Sequence, residues 1–122
     1  MAERYSSFTE GGTLWLLQRV TAALLVVLLA FHFFLLHFVN HPAEIQFADT
    51  QARMQSVGYF LTMVLFLVTA AFHGTNGVYN ALINQGLSGT RRRAVKWVLV
   101  VAGAIVVVQG VRTALYMNGF LT

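Results

Sequence analysis

Three long apolar segments dominate the hydropathy pattern of the chain, at about residues 15–39, 57–83 and 95–117. None of them carries a polar face at the 3.6-residue spacing that a water-soluble helix shows. A hydrocarbon core about 30 Å thick needs roughly 20 helical residues per crossing, and each segment meets that length. The pattern therefore predicts an all-α fold, an integral membrane protein in which residues 1–122 form one domain with three transmembrane helices.

Polar linkers at residues 40–56 and 84–93 join the three segments, and their charges predict the orientation of the chain. If the N-terminus is cytoplasmic, the inner side holds six of the eight Lys and Arg residues, namely Arg4, Arg19, Arg91, Arg92, Arg93 and Lys96. The outer side then holds only Arg53 and Arg112. Because cytoplasmic loops carry an excess of Lys and Arg, we expect a multi-pass protein of the cell membrane with its N-terminus in the cytoplasm.

Composition removes several classes of protein. The chain is 57% hydrophobic and 10% charged, which excludes an ordinary soluble globule and a disordered chain. It contains no cysteine, so a disulfide framework, a thiolate nucleophile and Cys-ligated zinc or iron–sulfur sites are excluded. The Lys and Arg residues predicted on the cytoplasmic side account for the formal net charge of +4. We therefore expect the basic linker to meet membrane lipid or an acidic protein face, and no nucleic acid.

Two histidines, His32 and His73, lie within the apolar segments. An ionisable residue there is costly, and it is by default a hypothesis for a functional site. The simpler alternative is a neutral imidazole bonded to a helix carbonyl or a neighbouring hydroxyl. Two such residues favour haem iron, which takes neutral imidazole as an axial ligand. Zinc fits less well, because these segments offer neither carboxylate nor thiolate ligands.

The depths of the two histidines indicate separate sites. At 1.5 Å per residue, His32 lies roughly 25 Å along the first helix from Trp15. His73 lies roughly 16 Å from Asn84 at the inner end of the second helix. The difference of about 9 Å predicts either two haems at different depths or one haem and one structural histidine.

A polar stripe on the second helix surrounds one of these histidines. His73, Gly77, Asn80 and Asn84 share one helix face, and Asn76 flanks it. A stripe of this composition is unsuited to lipid, so it faces protein or a cofactor. Gly77 lets a flat macrocycle or another helix approach closely. Because a metal-binding imidazole is normally held through its other nitrogen, we expect a partner for His73, and Thr69 on the same face is one candidate.

The inner end of the first helix carries Gln18, Arg19 and Thr21. With Asn84 they are candidates for a quinone site. Arg19 either snorkels to the interface or hydrogen-bonds a quinone carbonyl or a haem propionate.

In the third helix, Arg112 lies roughly 24 Å from Lys96, close to the depth of His32. With Gln109 it is a candidate to meet the propionates of an outer haem. The alternative is that Arg112 snorkels to the outer interface.

Two segments resemble the smaller membrane anchor subunit of succinate dehydrogenase, most closely the archaeal type. Residues 18–24, Gln-Arg-Val-Thr-Ala-Ala-Leu, are similar to the start of that family's first helix. His73-Gly74-Thr75-Asn76-Gly77, continuing to Asn84, is similar to its second helix, where a haem-ligating histidine is followed by glycine four residues later. Asn84 and Gln85 stand where many members have aspartate and a quinone-binding tyrosine.

The resemblance implies a complex of flavoprotein, iron–sulfur protein and two membrane anchors, whose helices form one bundle. It implies one or two haem b groups shared with the second anchor, with His73 on the inner haem and His32 on an outer one, Asn76 and Gly77 beside them, and quinone as substrate. The chain would then be a non-catalytic subunit of an enzyme. Two alternatives remain at this point: a haem-free structural or helper subunit of a membrane transporter, and the cytochrome subunit of another dehydrogenase.

Overall fold

Residues 12–121 are described in the computed structural model, and within that range the chain forms helices and turns with no strand. The α-helices are α1 (Gly12–Phe34), α2 (Phe47–Met54), α3 (Val57–Asn84) and α4 (Gly89–Asn118). Three segments are long and apolar enough to cross a membrane: Gly12–Val39, Val57–Asn84 and Gly89–Asn118. The prediction of an all-α membrane protein with three spans is therefore confirmed.

The first span ends through a local change of helix type. After Phe34 the chain makes one π-helical stretch, Leu35–Val39. The backbone and side-chain N–H groups of Asn40 both donate to the Leu35 carbonyl, at 3.0 Å each. Pro42 then opens a 3₁₀ turn, Pro42–Glu44. Because proline lacks an N–H and its ring clashes with the preceding turn, the helix does not continue.

The predicted first linker contains α2, a short helix that the hydropathy pattern does not indicate. Its start is stabilised by the Gln46 N–H, which donates to Oδ2 of Asp49 at 2.8 Å. Such a bond satisfies one of the free N–H groups at a helix start. Met54 is buried, and its carbonyl accepts a hydrogen bond from Nδ2 of Asn118 at 2.6 Å. The helix α2 thus packs across the ends of α3 and α4.

The connection between the second and third spans is shorter than predicted. The prediction placed residues 84–93 in a loop and started the third helix at residue 95, but α4 starts at Gly89. Gly86 and Gly89 take positive φ values of 96° and 61°, which glycine adopts without a steric penalty. Arginine is a good helix former, and the residues of the basic run, Arg91 to Arg93, lie in the first two turns of α4.

Helix α3 packs against both α1 and α4. A Cβ atom at Gly110 would overlap the Leu67 side chain, and one at Gly103 would lie 2.9 Å from Cγ2 of Thr75. These glycines therefore allow α3 and α4 to approach closely, as small residues do between membrane helices. Among the described residues, only Leu28, Met54, Thr69 and Ala114 are buried, and none of them completely. The remaining apolar surface is left for lipid or for other protein chains.

Candidate functional site

A cavity of about 810 Å³ opens between α1, α3 and α4, at the end of the bundle next to the α3–α4 turn. We call it the main cavity. It brings together six polar residues proposed from the sequence for the stripe or the ligand sites, namely Gln18, Arg19, His73, Asn76, Asn80 and Asn84. Its size falls within the range of about 300–1,000 Å³ typical of ligand pockets. The stripe on the second span therefore faces protein and a cavity, as predicted, and not only lipid.

The imidazole of His73 is held by a hydroxyl from another helix. Oγ1 of Thr21 on α1 lies 3.2 Å from Nδ1 of His73 on α3. Thr69, which we considered as this partner, is buried in α3, but the described contact of Nδ1 is with Thr21. Within residues 12–121 no hydrogen bond is made to Nε2 of His73. The described hydrogen bonding of the ring is thus through Nδ1.

Gln18 ties the same part of α1 to α3. Its Nε2 donates to the His73 carbonyl at 3.2 Å, and its Oε1 accepts from Nδ2 of Asn76 at 2.7 Å. A Cβ atom at Gly77 would lie 3.0 Å from Nε2 of Gln18. Of the two roles we considered for Gly77, the structure thus shows the close approach of another helix.

Three cations line the main cavity. The Arg19 guanidinium stacks over the Trp15 ring, 4.2 Å from its centroid. Nε of Arg92 donates to the Tyr79 hydroxyl at 3.1 Å. Lys96 follows one turn later on α4. The lining residues include no carboxylate, so the main cavity is suited to an anionic group.

Sequence reasoning missed three residues of this site: Tyr79, Arg92 and Lys96. The signal for the last two was their spacing of four residues, which places them on one helix face. It was overlooked because Arg92 was placed in a loop, and both residues were interpreted as an orientation signal.

The residues of the main cavity fit a haem group. A neutral imidazole with one open nitrogen is suited to bind haem iron, and cations are suited to meet its carboxylates. The cavity walls between them are largely apolar, including Phe72, Leu99 and Val100. The fit concerns His73 alone as the iron ligand, because no other histidine is among the described residues that line the main cavity.

Of the four predicted quinone-site residues, two have side chains occupied by other bonds. Gln18 bonds to α3 at both ends of its amide, and the Thr21 hydroxyl donates within α1, with its closest acceptor the Leu17 carbonyl at 2.6 Å. Arg19 and Asn84 line the main cavity.

His32 lies outside the main cavity. Its ring centroid is 5.8 Å from that of Phe66, and its Nδ1 is buried without a hydrogen-bond partner. The bond to a carbonyl of its own helix, which we considered for His32, is instead made by His37, whose Nδ1 lies 3.0 Å from the Phe33 carbonyl. Arg53 of α2 lies within electrostatic range of His32, and its buried Nε also has no partner.

Arg112 and Gln109 both lie exposed on α4. In the described part of the chain, neither side chain forms a hydrogen bond with His32. The predicted contact of Arg112 with haem propionates stays a prediction.

Comparison with known proteins identifies the family of the chain. Residues 2–111 match the family described as the succinate dehydrogenase/fumarate reductase transmembrane subunit. The chain is also similar to the succinate dehydrogenase hydrophobic membrane anchor subunit of Archaeoglobus fulgidus, with 27% identity over 81 residues. That alignment covers 66% of this chain and 68% of the relative. No solved structure gives a significant match.

Proposed function

Because the chain belongs to the succinate dehydrogenase/fumarate reductase transmembrane subunit family, we propose that it anchors the soluble subunits of such a complex to the membrane, ligates haem b and helps to form a quinone site. The family also favours this function over the transporter-helper and other-dehydrogenase alternatives. The chain is a multi-pass membrane anchor subunit. The proposal concerns which cofactor, substrate and subunits the chain binds, and through which residues.

The observation that carries the haem proposal is the setting of His73. Its imidazole lines an apolar cavity, Thr21 engages Nδ1, and Nε2 makes no hydrogen bond within residues 12–121. Asn76 and Gly77 support this arrangement by allowing Gln18 to pack against α3. When bound, a haem b supplies one-electron redox chemistry.

Cations of the main cavity are suited to the carboxylates of the same group. Arg19, Arg92 and Lys96 come from two helices and meet at one cavity. A guanidinium pairs with a carboxylate through two parallel N–H bonds, and such pairs are worth more in a water-poor site than on a surface. We assign Arg92 and Lys96, both on α4, to the propionates of the inner haem.

For the quinone, the proposal narrows to Arg19 and Asn84. Both line the main cavity, and both can donate a hydrogen bond to a quinone carbonyl. Gln18 and Thr21 are reassigned to holding His73, because their polar atoms are engaged there.

Partners follow from the family and from the exposed helix surfaces. A second membrane anchor would cover part of the apolar surface of α1 and α4 and supply the other axial ligand. The flavoprotein and iron–sulfur subunits would dock on the cytoplasmic side, near the basic start of α4. The N-terminus would lie on that side of the plasma membrane, with anionic lipid beside the arginines.

A second haem on His32 is part of the proposal. A half-buried imidazole whose Nδ1 has no partner differs from a histidine that only caps its own helix, as His37 does. Arg112 with Gln109 on α4 would meet the propionates of this outer haem, and Arg53 lies on the same side of the bundle.

The test is the haem stoichiometry of the purified membrane complex, measured as the pyridine haemochrome and as a reduced-minus-oxidised spectrum. We expect two haems in the wild type and one each in His73→Ala and His32→Ala. His37→Ala is the matched control and should keep both, because its ring bonds within its own helix. A haem-free complex, or full haem content with an unchanged spectrum in His73→Ala, would overturn the ligand assignment.

A further inference from the structure

The hydroxyl of Thr21 and the imidazole of His73 form a contact that decides which ring nitrogen carries the proton. We infer that Thr21 sets the tautomer of His73, keeping the proton on Nδ1 and leaving Nε2 free to bind iron. Thr21 is thus a positioning residue, because it acts on the iron only through His73. The inference rests on the proposed haem ligation and adds to it the residue that prepares the ligand.

The argument starts from the single hydrogen of the Thr21 hydroxyl. Oγ1 lies 2.6 Å from the Leu17 carbonyl and 3.1 Å from the Gln18 carbonyl, both on α1. Carbonyl oxygens only accept, so any bond to them uses the hydroxyl hydrogen. The distance of 2.6 Å is at the short end for an O–H···O bond. The hydrogen therefore points to Leu17, back along α1.

With its hydrogen committed, Oγ1 offers only lone pairs to His73. The distance of 3.2 Å between Oγ1 and Nδ1 is then a hydrogen bond only if Nδ1 carries the proton and donates it. An unprotonated Nδ1 would place two lone pairs against each other. A neutral imidazole has one proton, so Nε2 is left with a free lone pair. The opposite tautomer would put the proton on Nε2 and block coordination.

The position of the hydroxyl is fixed by the neighbouring contacts of Gln18. Gln18 donates to the carbonyl of His73 itself, at 3.2 Å, and accepts a hydrogen bond from Nδ2 of Asn76, about one turn later in α3, at 2.7 Å. Gly77 leaves the space that these bonds need. The two helices are therefore held together at the level of His73, and Thr21, three residues after Gln18, stays opposite the ring.

A hydrogen bond from Nδ1–H to an acceptor has a predictable effect on bound iron. It makes the imidazole more basic and stabilises the ferric state. In Thr21→Val the side chain keeps its shape and loses the acceptor. The ferrous state should then be stabilised relative to the ferric state, and the midpoint potential of the inner haem should therefore rise. A tenfold change in the ferric-to-ferrous ratio corresponds to 59 mV for a one-electron couple, and we expect a rise of up to about that size.

The experiment is a redox titration of the purified membrane complex, followed at the haem absorbance bands. The component assigned to the inner haem is the one absent from His73→Ala. Thr21→Val should raise its midpoint potential, and Thr21→Ser, which restores a hydroxyl, should return it towards the wild-type value. Thr62→Val is the matched control, because Thr62 makes the same type of bond within α3, to the Gly58 carbonyl at 2.8 Å, and does not contact His73.

Each outcome separates the inference from the proposed function. If the wild-type complex holds no haem, or His73→Ala keeps it, haem ligation by His73 is refuted and the inference with it. If His73→Ala loses haem but Thr21→Val leaves the potential unchanged, or Thr62→Val shifts it equally, only the inference is refuted. Thr21→Ala removes the hydroxyl without adding bulk and repeats the test. Loss of assembly in both hydroxyl-free variants would show a purely structural residue and would also overturn the inference.

Discussion

The polar clamp between Gln18 and α3 offers the sharpest test of how α1 is held in the bundle. Gln18→Leu keeps the approximate size of the side chain and removes both of its polar atoms. It breaks the bond to the His73 carbonyl and the bond from Nδ2 of Asn76, which is the shorter one at 2.7 Å. Asn76 then loses its described acceptor in a half-buried position.

The size of the effect follows from hydrogen bonds between membrane helices, which average about 0.6 kcal/mol and reach about 1.7 kcal/mol. The His73 carbonyl lies within a continuous helix, so losing the additional hydrogen bond from Gln18 should cost little free energy. The bond to Asn76 should dominate. We expect Gln18→Leu to reduce the free energy of unfolding by about 1–2 kcal/mol.

A double-mutant cycle isolates the Gln18–Asn76 bond. Unfolding is driven by SDS in mixed micelles and followed by the circular dichroism of the helices, for Gln18→Leu, Asn76→Leu and the double variant. The coupling should be about 0.6–1.7 kcal/mol. The control cycle pairs Asn76→Leu with Thr62→Val, two residues without a described contact, and should be additive within about 0.5 kcal/mol. A Gln18–Asn76 coupling no larger than that of the control cycle refutes the clamp.

Two further predictions concern topology and packing. In a Ser88→Cys variant, the new cysteine should resist a membrane-impermeant thiol reagent added outside intact cells and should react after lysis. The reason is that the basic start of α4 is predicted to be cytoplasmic. Ready labelling from outside would show that the predicted orientation is reversed. Gly110→Leu should lower the free energy of unfolding by about 1–3 kcal/mol, because the added side chain overlaps Leu67. The control is Gly58→Leu, which has open space around it and should lower the free energy of unfolding less. Equal losses in the two variants would contradict the described α3–α4 contact.

The three spans could be predicted from sequence because an unbroken apolar run of this length has few other stable forms. Their ends could not, since hydropathy stops where the polar residues start and the helix does not. The start of α4 illustrates this, because Arg91 to Arg93 favour helix although they lie before the apolar run. Hydropathy therefore located the membrane-crossing part of the third helix and missed its polar start.

The short helix α2 was missed for a different reason. Its sequence does carry a start signal, an acidic residue, Asp49, three positions after the cap residue Gln46. Eight residues give too few turns for a periodic pattern to be distinctive. Its stability comes from tertiary contacts that the local sequence does not contain, such as buried Met54 and the bond from Asn118, 64 residues later.

The candidate site was predictable within each helix and not between helices. The spacing of His73, Asn80 and Asn84 places them on one face, and these residues do share the main cavity. The sequence of neither helix determines how α1 is rotated about its own axis relative to α3. For this reason the same-helix residue Thr69 was considered as the partner of His73, while the structure brings Thr21 from α1.

The charges around the main cavity give the strongest reason to regard this chain as one part of a larger site. Arg19, Arg92 and Lys96 line it, whereas the acidic residues in the described range, Glu44 and Asp49, lie beyond the opposite end of α1. Cations at the edge of an apolar bundle are costly unless an anion or water meets them. A haem with two carboxylates, or an acidic face of a soluble partner, would supply that anion. The positive charge that predicts the orientation of the chain would therefore also suit the end of the bundle next to the α3–α4 turn to an anionic group.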